Sequence, residues 1–264
     1  MDFQTSDGVE LNYQVTGSGQ PVVLIHGFGG YQQIWCLQVP ELVKQGYQVV
    51  TYDQRNHGAS GHTLNLDSLD RLISDLHELL EYLKLDHPFL IGHSMGAAEV
   101  YGFLNQYPDF PIQGAIAIDQ SPKMLNTPRW HYGYMDITRA SYRLKLREHG
   151  NVRETLNGVP KKVLDHLAPA KEMFPFVRAD NLPLLYDHAK KDWRTAIKDT
   201  QVSLLLVTAN QSPYFDGGFA DVMVAANPDH VSHAAVDQSG HVVMAEQASQ
   251  FNKIMDEFLT KNMK

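Results

Sequence analysis

Cysteine is almost missing from this chain: Cys36 is the only one in 264 residues. A single thiol forms no internal disulfide and builds no cysteine-based metal cluster, so a reducing cytoplasm is the expected home. No stretch approaches the roughly 18 consecutive apolar residues of a membrane-spanning helix. Met1-Asp2-Phe3-Gln4-Thr5 has neither the basic start nor the apolar run of a secretory signal. Basic charge is in deficit as well. With 22 Lys+Arg against 30 Asp+Glu the net charge is −8, which makes nucleic acid an unexpected partner. Repeats, low-complexity tracts and flexible linkers are lacking too. What remains is 43% apolar and 20% charged, enough to bury a sizeable core in one large domain or in one domain with an insertion.

Strand and helix patterns alternate along most of the chain. Val9–Val15 alternates apolar and polar residues, as a half-exposed strand does. Pro21–Ile25 is a continuous apolar run rich in β-branched residues, the signature of a strand buried on both faces; Pro88–Ile91 reads as another buried strand, and Gln48–Tyr52, Gly114–Ile118, Ser203–Val207 and Val231–Val236 as further strands. Helices are expected from about Trp35 to Gln45, ended by Gly46, and over Leu66–Leu85, Met95–Tyr107 and Ala245–Leu259. This order predicts an α/β protein with a mainly parallel sheet of about eight strands covered by helices. Residues 122–202 interrupt the pattern, look mainly helical, and are expected to form a cap on a core made of 1–121 and 203–264.

Gly92-His93-Ser94-Met95-Gly96 lies between a strand and a helix and has the form of a nucleophile elbow. The glycines admit a sharp turn that lifts the Ser94 hydroxyl clear of the sheet, and the following helix directs its N-terminus at developing negative charge. Acyl transfer also needs two backbone N–H groups for an oxyanion. Met95 is the expected first donor; Phe28, in the loop His26-Gly27-Phe28-Gly29-Gly30, is the second. Among thirteen histidines His241 stands apart, because Gly240-His241 follows the last strand and precedes the last helix. His26 and His93 are expected to be structural members of their loops, and His57 to cap a turn. The loop after Ser203–Val207 reads Thr208-Ala209-Asn210-Gln211-Ser212-Pro213 and holds no carboxylate before Asp216. Asp119, at the carboxyl end of the strand after the elbow, is therefore assigned as the acid. Ser212 is a second hydrogen-bond partner for the histidine, and Asp216 the alternative acid.

With these residues in place the chain resembles the α/β-hydrolase superfamily over nearly its full length, and small bacterial carboxylesterases in particular. The resemblance rests on His26–Gly30, Asp53-Gln54-Arg55-Asn56-His57-Gly58, Gly92–Gly96, Asp192-Trp193-Arg194 and Gly240-His241. It departs from the usual pattern in lacking an acid before Pro213; some members place the acid after the preceding strand, where Asp119 stands. Haloalkane dehalogenases and epoxide hydrolases of this superfamily use an aspartate nucleophile, which Ser94 argues against. The resemblance implies a serine hydrolase that cleaves a small carboxylic ester through an acyl-enzyme, without metal or organic cofactor. The same triad serves thioesterases, lactonases, carbon–carbon bond hydrolases and perhydrolases. A slow-turnover ligand sensor is the alternative from another class.

The expected cap is basic. Residues 122–202 hold 15 Lys+Arg and 9 Asp+Glu, leaving 7 and 21 for the rest of the chain. A lid of one sign over a cleft would draw in substrates with an anionic portion, unless these charges are only solvated helix faces. Trp130, His131, Tyr132, Tyr134, Met135, Phe174 and Phe176 would either line an acyl pocket or make the cap's own small core.

Overall fold

Computed as a structural model, the structure describes residues 1–64, 66–148 and 152–263. Strands β1 (Asp2–Gln4), β2 (Glu10–Gly17) and β3 (Pro21–Ile25) come first. After a 3-10 turn at Gln32–Trp35 follow α1 (Val39–Lys44), β4 (Gln48–Tyr52), α2 (Leu69–Tyr82), β5 (Phe89–His93), α3 (Met95–Gln106) and β6 (Gly114–Ile118). The next segment carries α4 (Tyr142–Glu148), α5 (Lys161–Met173), a second 3-10 turn at Arg178–Asn181, α6 (Leu182–Lys190) and α7 (Arg194–Asp199). The chain closes with β7 (Leu204–Ala209), α8 (Phe219–Ala226), β8 (Val231–Val236), α9 (Val243–Glu246) and α10 (Ala248–Asn262). Among the described residues no helix is long and apolar enough to cross a membrane.

One eight-stranded sheet runs in the order β1-β2-β4-β3-β5-β6-β7-β8. The strands from β4 to β8 are parallel, and β1 and β2 pair antiparallel at one edge. Side chains alternate between two buried layers, as strand geometry requires. Val23, Ile25, Val50, Leu90, Ala115 and Leu206 pack against α2, α3 and α8. Val22, Leu24, Val49, Phe89, Ile91, Ile116 and Val207 pack against α1 and α10 on the other face.

The strand order reverses around β3, with β4 on one side and β5 on the other. Such a switch point opens a crevice beyond the carboxyl ends of the strands. The register keeps those ends level: Ile25 is opposite Gly92, His93 opposite Ile118, and Ile118 opposite Val207. The residues that follow β3, β5, β6 and β7 are thereby delivered to one edge of the sheet.

Element boundaries differ from the sequence expectation where a specific residue sets them. α2 starts three residues later than expected, because the Ser68 hydroxyl accepts the Asp70 N–H (3.2 Å) as an N-cap. The helix expected from Trp35 begins only at Val39, where Pro40 stands at its N-terminus. The closing helix is two pieces divided at Gln247. No sequence signal was assigned to β1 or α8. The stretch 122–141 was expected to be helical and is not. There the Asn126 side chain donates to the Met135 and Ile137 carbonyls (3.0 and 3.2 Å) and accepts from the Gly133 N–H (3.0 Å), holding irregular backbone in place. At the other end of the insertion, α7 packs on α3 of the sheet layer, and Asn227 ties to the Ile197 and Thr200 carbonyls.

Candidate active site

Ser94 sits at the turn from β5 into α3 with φ 54° and ψ −122°, a conformation held only by its surroundings. The surroundings are tight. A Cβ on Gly92 would lie 2.2 Å from the Gly96 carbonyl oxygen, and one on Gly96 would lie 2.5 Å from the Ile25 oxygen. The Ser94 N–H donates to the Ile118 carbonyl (2.9 Å), and its own carbonyl accepts the first bonds of α3 from Ala97 and Ala98. Gly27 brings the loop after β3 so close that a Cβ there would stand 2.8 Å from the Ser94 Cβ. Phe28 and Met95 line the same cavity as Ser94, and among the described residues neither N–H meets an acceptor.

His241 lies in the loop between β8 and α9, and its Nδ1–H donates to Asp119 Oδ2 (2.7 Å). Asp119 is fully buried at the end of β6 with φ 46°. Its Oδ1 accepts the Ala209 N–H (3.1 Å), and its Oδ2 accepts the Ser212 hydroxyl (2.6 Å). Ser212 thus supports the carboxylate and not the histidine: Asp119 Oδ2 stands between the two side chains and takes a hydrogen from each. Asp216 is not brought to His241. The chain before it lays Tyr214 against the imidazole, with ring centroids 4.7 Å apart and edge-to-face, and turns Asp216 outward to accept the Gly218 N–H (2.9 Å) in a separate hollow. With Nδ1 engaged, Nε2 of His241 has no hydrogen-bond partner among the described residues.

Three other histidines hold the scaffold. His93 donates from Nε2 to the His241 carbonyl (2.8 Å), and His26 donates from Nδ1 to the Gly27 carbonyl (2.8 Å). His57 donates from Nδ1 to the Arg55 carbonyl (3.0 Å) and accepts the Gly29 N–H at Nε2 (3.0 Å), so its ring anchors the loop that carries Phe28. Burial pushes His26 down to about 4, burial and the neighbouring His26 push His57 down to about 3, and burial with the neighbouring His241 holds His93 well below the ordinary value. All three are neutral at pH 7, as an acceptor at His57 Nε2 requires. The anchoring by His57, the saturation of Asp119 and the packing of Tyr214 left no mark in the sequence; each joins residues far apart in the chain.

Ser94 and His241 line a cavity of about 420 Å³. Phe28, Tyr134, Leu167 and Leu185 supply much of its apolar wall. Of the aromatic residues singled out in 122–202, Tyr134 faces this cavity. Trp130 is buried in the main core, Phe176 stacks on His57 and packs edge-on against Phe28, and His131 and Met135 border the hollow that holds Asp216. Arg178 also lines the cavity, its guanidinium centre 5.3 Å from the Phe28 ring centroid. The described residues hold no group of three or more His, Cys, Asp or Glu arranged to bind a metal ion.

Comparison with known proteins adds to this geometry. A sequence model of the alpha/beta hydrolase family matches residues 22–254. A non-heme chloroperoxidase from Kitasatospora aureofaciens is 32% identical over 121 residues, 46% of this chain and 44% of that protein. A bifunctional esterase/perhydrolase from Acinetobacter calcoaceticus is 31% identical over 123 residues, 46% of this chain and 45% of that protein. The chain thus spans less than half the length of these curated relatives. Among solved structures, an esterase from Exiguobacterium antarcticum superposes with TM-score 0.82 at 20% identity, covering 98% of each chain. A bromoperoxidase from Bacillus anthracis superposes with TM-score 0.82 at 25% identity, covering 96% of each.

Proposed function

The chain belongs to the alpha/beta hydrolase family, and on that premise we propose that it is a serine hydrolase of small carboxylic esters, with Ser94, His241 and Asp119 as its triad. The observation that carries this reading is the His241 Nδ1–H on Asp119 Oδ2 at 2.7 Å, at a cavity shared by His241 and Ser94. That bond fixes the tautomer and presents Nε2 as the base. Ser94 Oγ attacks the ester carbonyl as Nε2 takes its proton. The carbonyl electron pair moves to oxygen, where the Phe28 and Met95 N–H groups receive it. Collapse breaks the bond to the alkoxy group, which leaves as the alcohol with the proton from Nε2. A water then repeats the sequence on the acyl-enzyme and releases the carboxylic acid.

The cycle uses protein groups and water alone. In this reading residues 122–202 act as the cap and 1–121 with 203–264 as the core, and the single cysteine fits a cytoplasmic setting. The Acinetobacter relative named an esterase/perhydrolase favours a second reading, in which hydrogen peroxide replaces water at the acyl-enzyme and a peracid leaves. The test is turnover of p-nitrophenyl butyrate by the parent and by Ser94→Ala. The proposal expects multiple turnovers from the parent and none above background from the variant. Retained turnover in Ser94→Ala would refute it, and a single slow turnover by the parent would favour a sensor.

A further inference from the structure

Among the described residues Arg178 stands in the cavity with no carboxylate at ion-pair distance, and Glu154 on the same cavity acts on it only at longer range. It leaves the 3-10 turn at Arg178–Asn181, donates from Nη2 to the Leu146 carbonyl (2.8 Å), and spreads its guanidinium over the Phe28 ring at 5.3 Å. Its Nε is buried and meets no acceptor, and among the described residues no carboxylate forms an ion pair with it. Half-buried guanidinium groups are normally balanced by an anion, because burying an unpaired charge is costly. A second group without a side-chain hydrogen bond among the described residues lines the same cavity. His188, on α6, is 4% exposed, and neither ring nitrogen bonds to the protein among the described residues. The remaining charges that line the cavity are Lys171 and Glu154, both exposed, and Glu154 Oε1 already accepts the Tyr214 hydroxyl (2.9 Å). Asp119 is sealed beneath His241 and offers Arg178 nothing.

We propose that the cavity accepts esters that carry a carboxylate, with the Arg178 guanidinium as its receiver and His188 as a neutral hydrogen-bond donor on the same cavity. The proposal rests on the ester-hydrolase reading and gives it a substrate class. It also gives the positive balance of residues 122–202 a local endpoint, since Arg178 and Lys171 of that segment both line the cavity.

The experiment measures kcat/KM for matched pairs, one member charged and one neutral. Mono-p-nitrophenyl glutarate against p-nitrophenyl pentanoate places the carboxylate on the acyl chain. 4-Carboxyphenyl butyrate against phenyl butyrate places it on the leaving group. In one of these arms the charged-to-neutral ratio should fall about 10–100-fold in Arg178→Gln, the size of one charge-assisted hydrogen bond, and recover in part in Arg178→Lys. Damage to the fold falls on both members of a pair and cancels in the ratio. Ratios unchanged by Arg178→Gln in both arms would overturn the proposal. A titration of glutarate into Ser94→Ala and Ser94→Ala/Arg178→Gln decides the same point without turnover: binding weakened tenfold or more by loss of the arginine supports it, and equal binding refutes it. Failure of every ester in the parent, charged and neutral alike, would sink the hydrolase reading, while the glutarate titration still decides the anion site.

Discussion

At the scale of single residues, the acid is the member of the site with the most partners. Asp119 Oδ2 takes hydrogens from His241 and Ser212, and Oδ1 takes one from the Ala209 amide. A carboxylate held in this way fixes the imidazole and stabilises the imidazolium that forms during attack. Asp119→Asn should therefore lower kcat on p-nitrophenyl butyrate by up to about 10⁴-fold. Ser212→Ala removes one of the three hydrogen bonds to the carboxylate and should cost about 10-fold, less than loss of the carboxylate itself. Steady-state kinetics on the two variants checks both, and near-parental activity in Asp119→Asn would remove it from the triad. The individual chemistry was legible in the sequence for a local reason. Ser94 lies inside a five-residue motif, and His241 and Asp119 each follow a recognisable strand. The role of Ser212 was not legible, because its partner lies 93 residues away and two side chains share one oxygen.

At the scale of elements, the proposed mechanism asks the loop from Gly27 to Gly30 to hold the Phe28 N–H where an oxyanion would form. Gly29 is bound to the His57 ring, and Phe176 stacks on that ring from the segment between α5 and α6. His57→Leu leaves the Gly29 amide without its acceptor and loosens the loop. We expect kcat to drop by up to about 10²-fold with little change in KM, since misplacing a group by about 1 Å has an effect of that order. His57→Gln, whose side-chain oxygen can accept the same hydrogen, should recover part of the loss. An unchanged kcat in His57→Leu would show that the loop holds itself. Strands such as β3 and β5 could be read directly, because five consecutive buried residues leave a continuous apolar run. The stretch 122–141 could not. Pro128 and Gly133 break helical backbone there, and the Asn126 side chain holds the irregular course that results.

At the scale of the whole molecule, buried neutral histidines make the fold sensitive to acid. Burial holds His188 and His26 down to about 4 and, with His26 beside it, His57 to about 3. An unfolded histidine titrates near 6.5. The unfolded chain therefore binds more protons as pH falls below that value. The stabilisation is complete above about 6.5 and is lost as pH drops toward the folded values. For His188 alone the loss between pH 7 and pH 4.5 is about 2 kcal/mol. His188→Leu should retain about that much more stability at pH 4.5, relative to pH 7, than the parent does in urea denaturation. The raised carboxyls of Asp53, Asp75 and Glu99 act with the opposite sign, but they are common to both proteins and drop out of the comparison. An equal acid loss in the two proteins would contradict a sealed, neutral His188. The whole sheet, in turn, exists to bring the ends of β3, β5, β6 and the β8–α9 loop to one crevice. The most direct measurement of that convergence is the mass of the protein after reaction with a fluorophosphonate, mapped by peptide sequencing. The account predicts one stoichiometric adduct on Ser94, abolished by Ser94→Ala and slowed by His241→Ala. A protein that hydrolyses esters while Ser94 stays unmodified, or that takes the label at another residue, would contradict it.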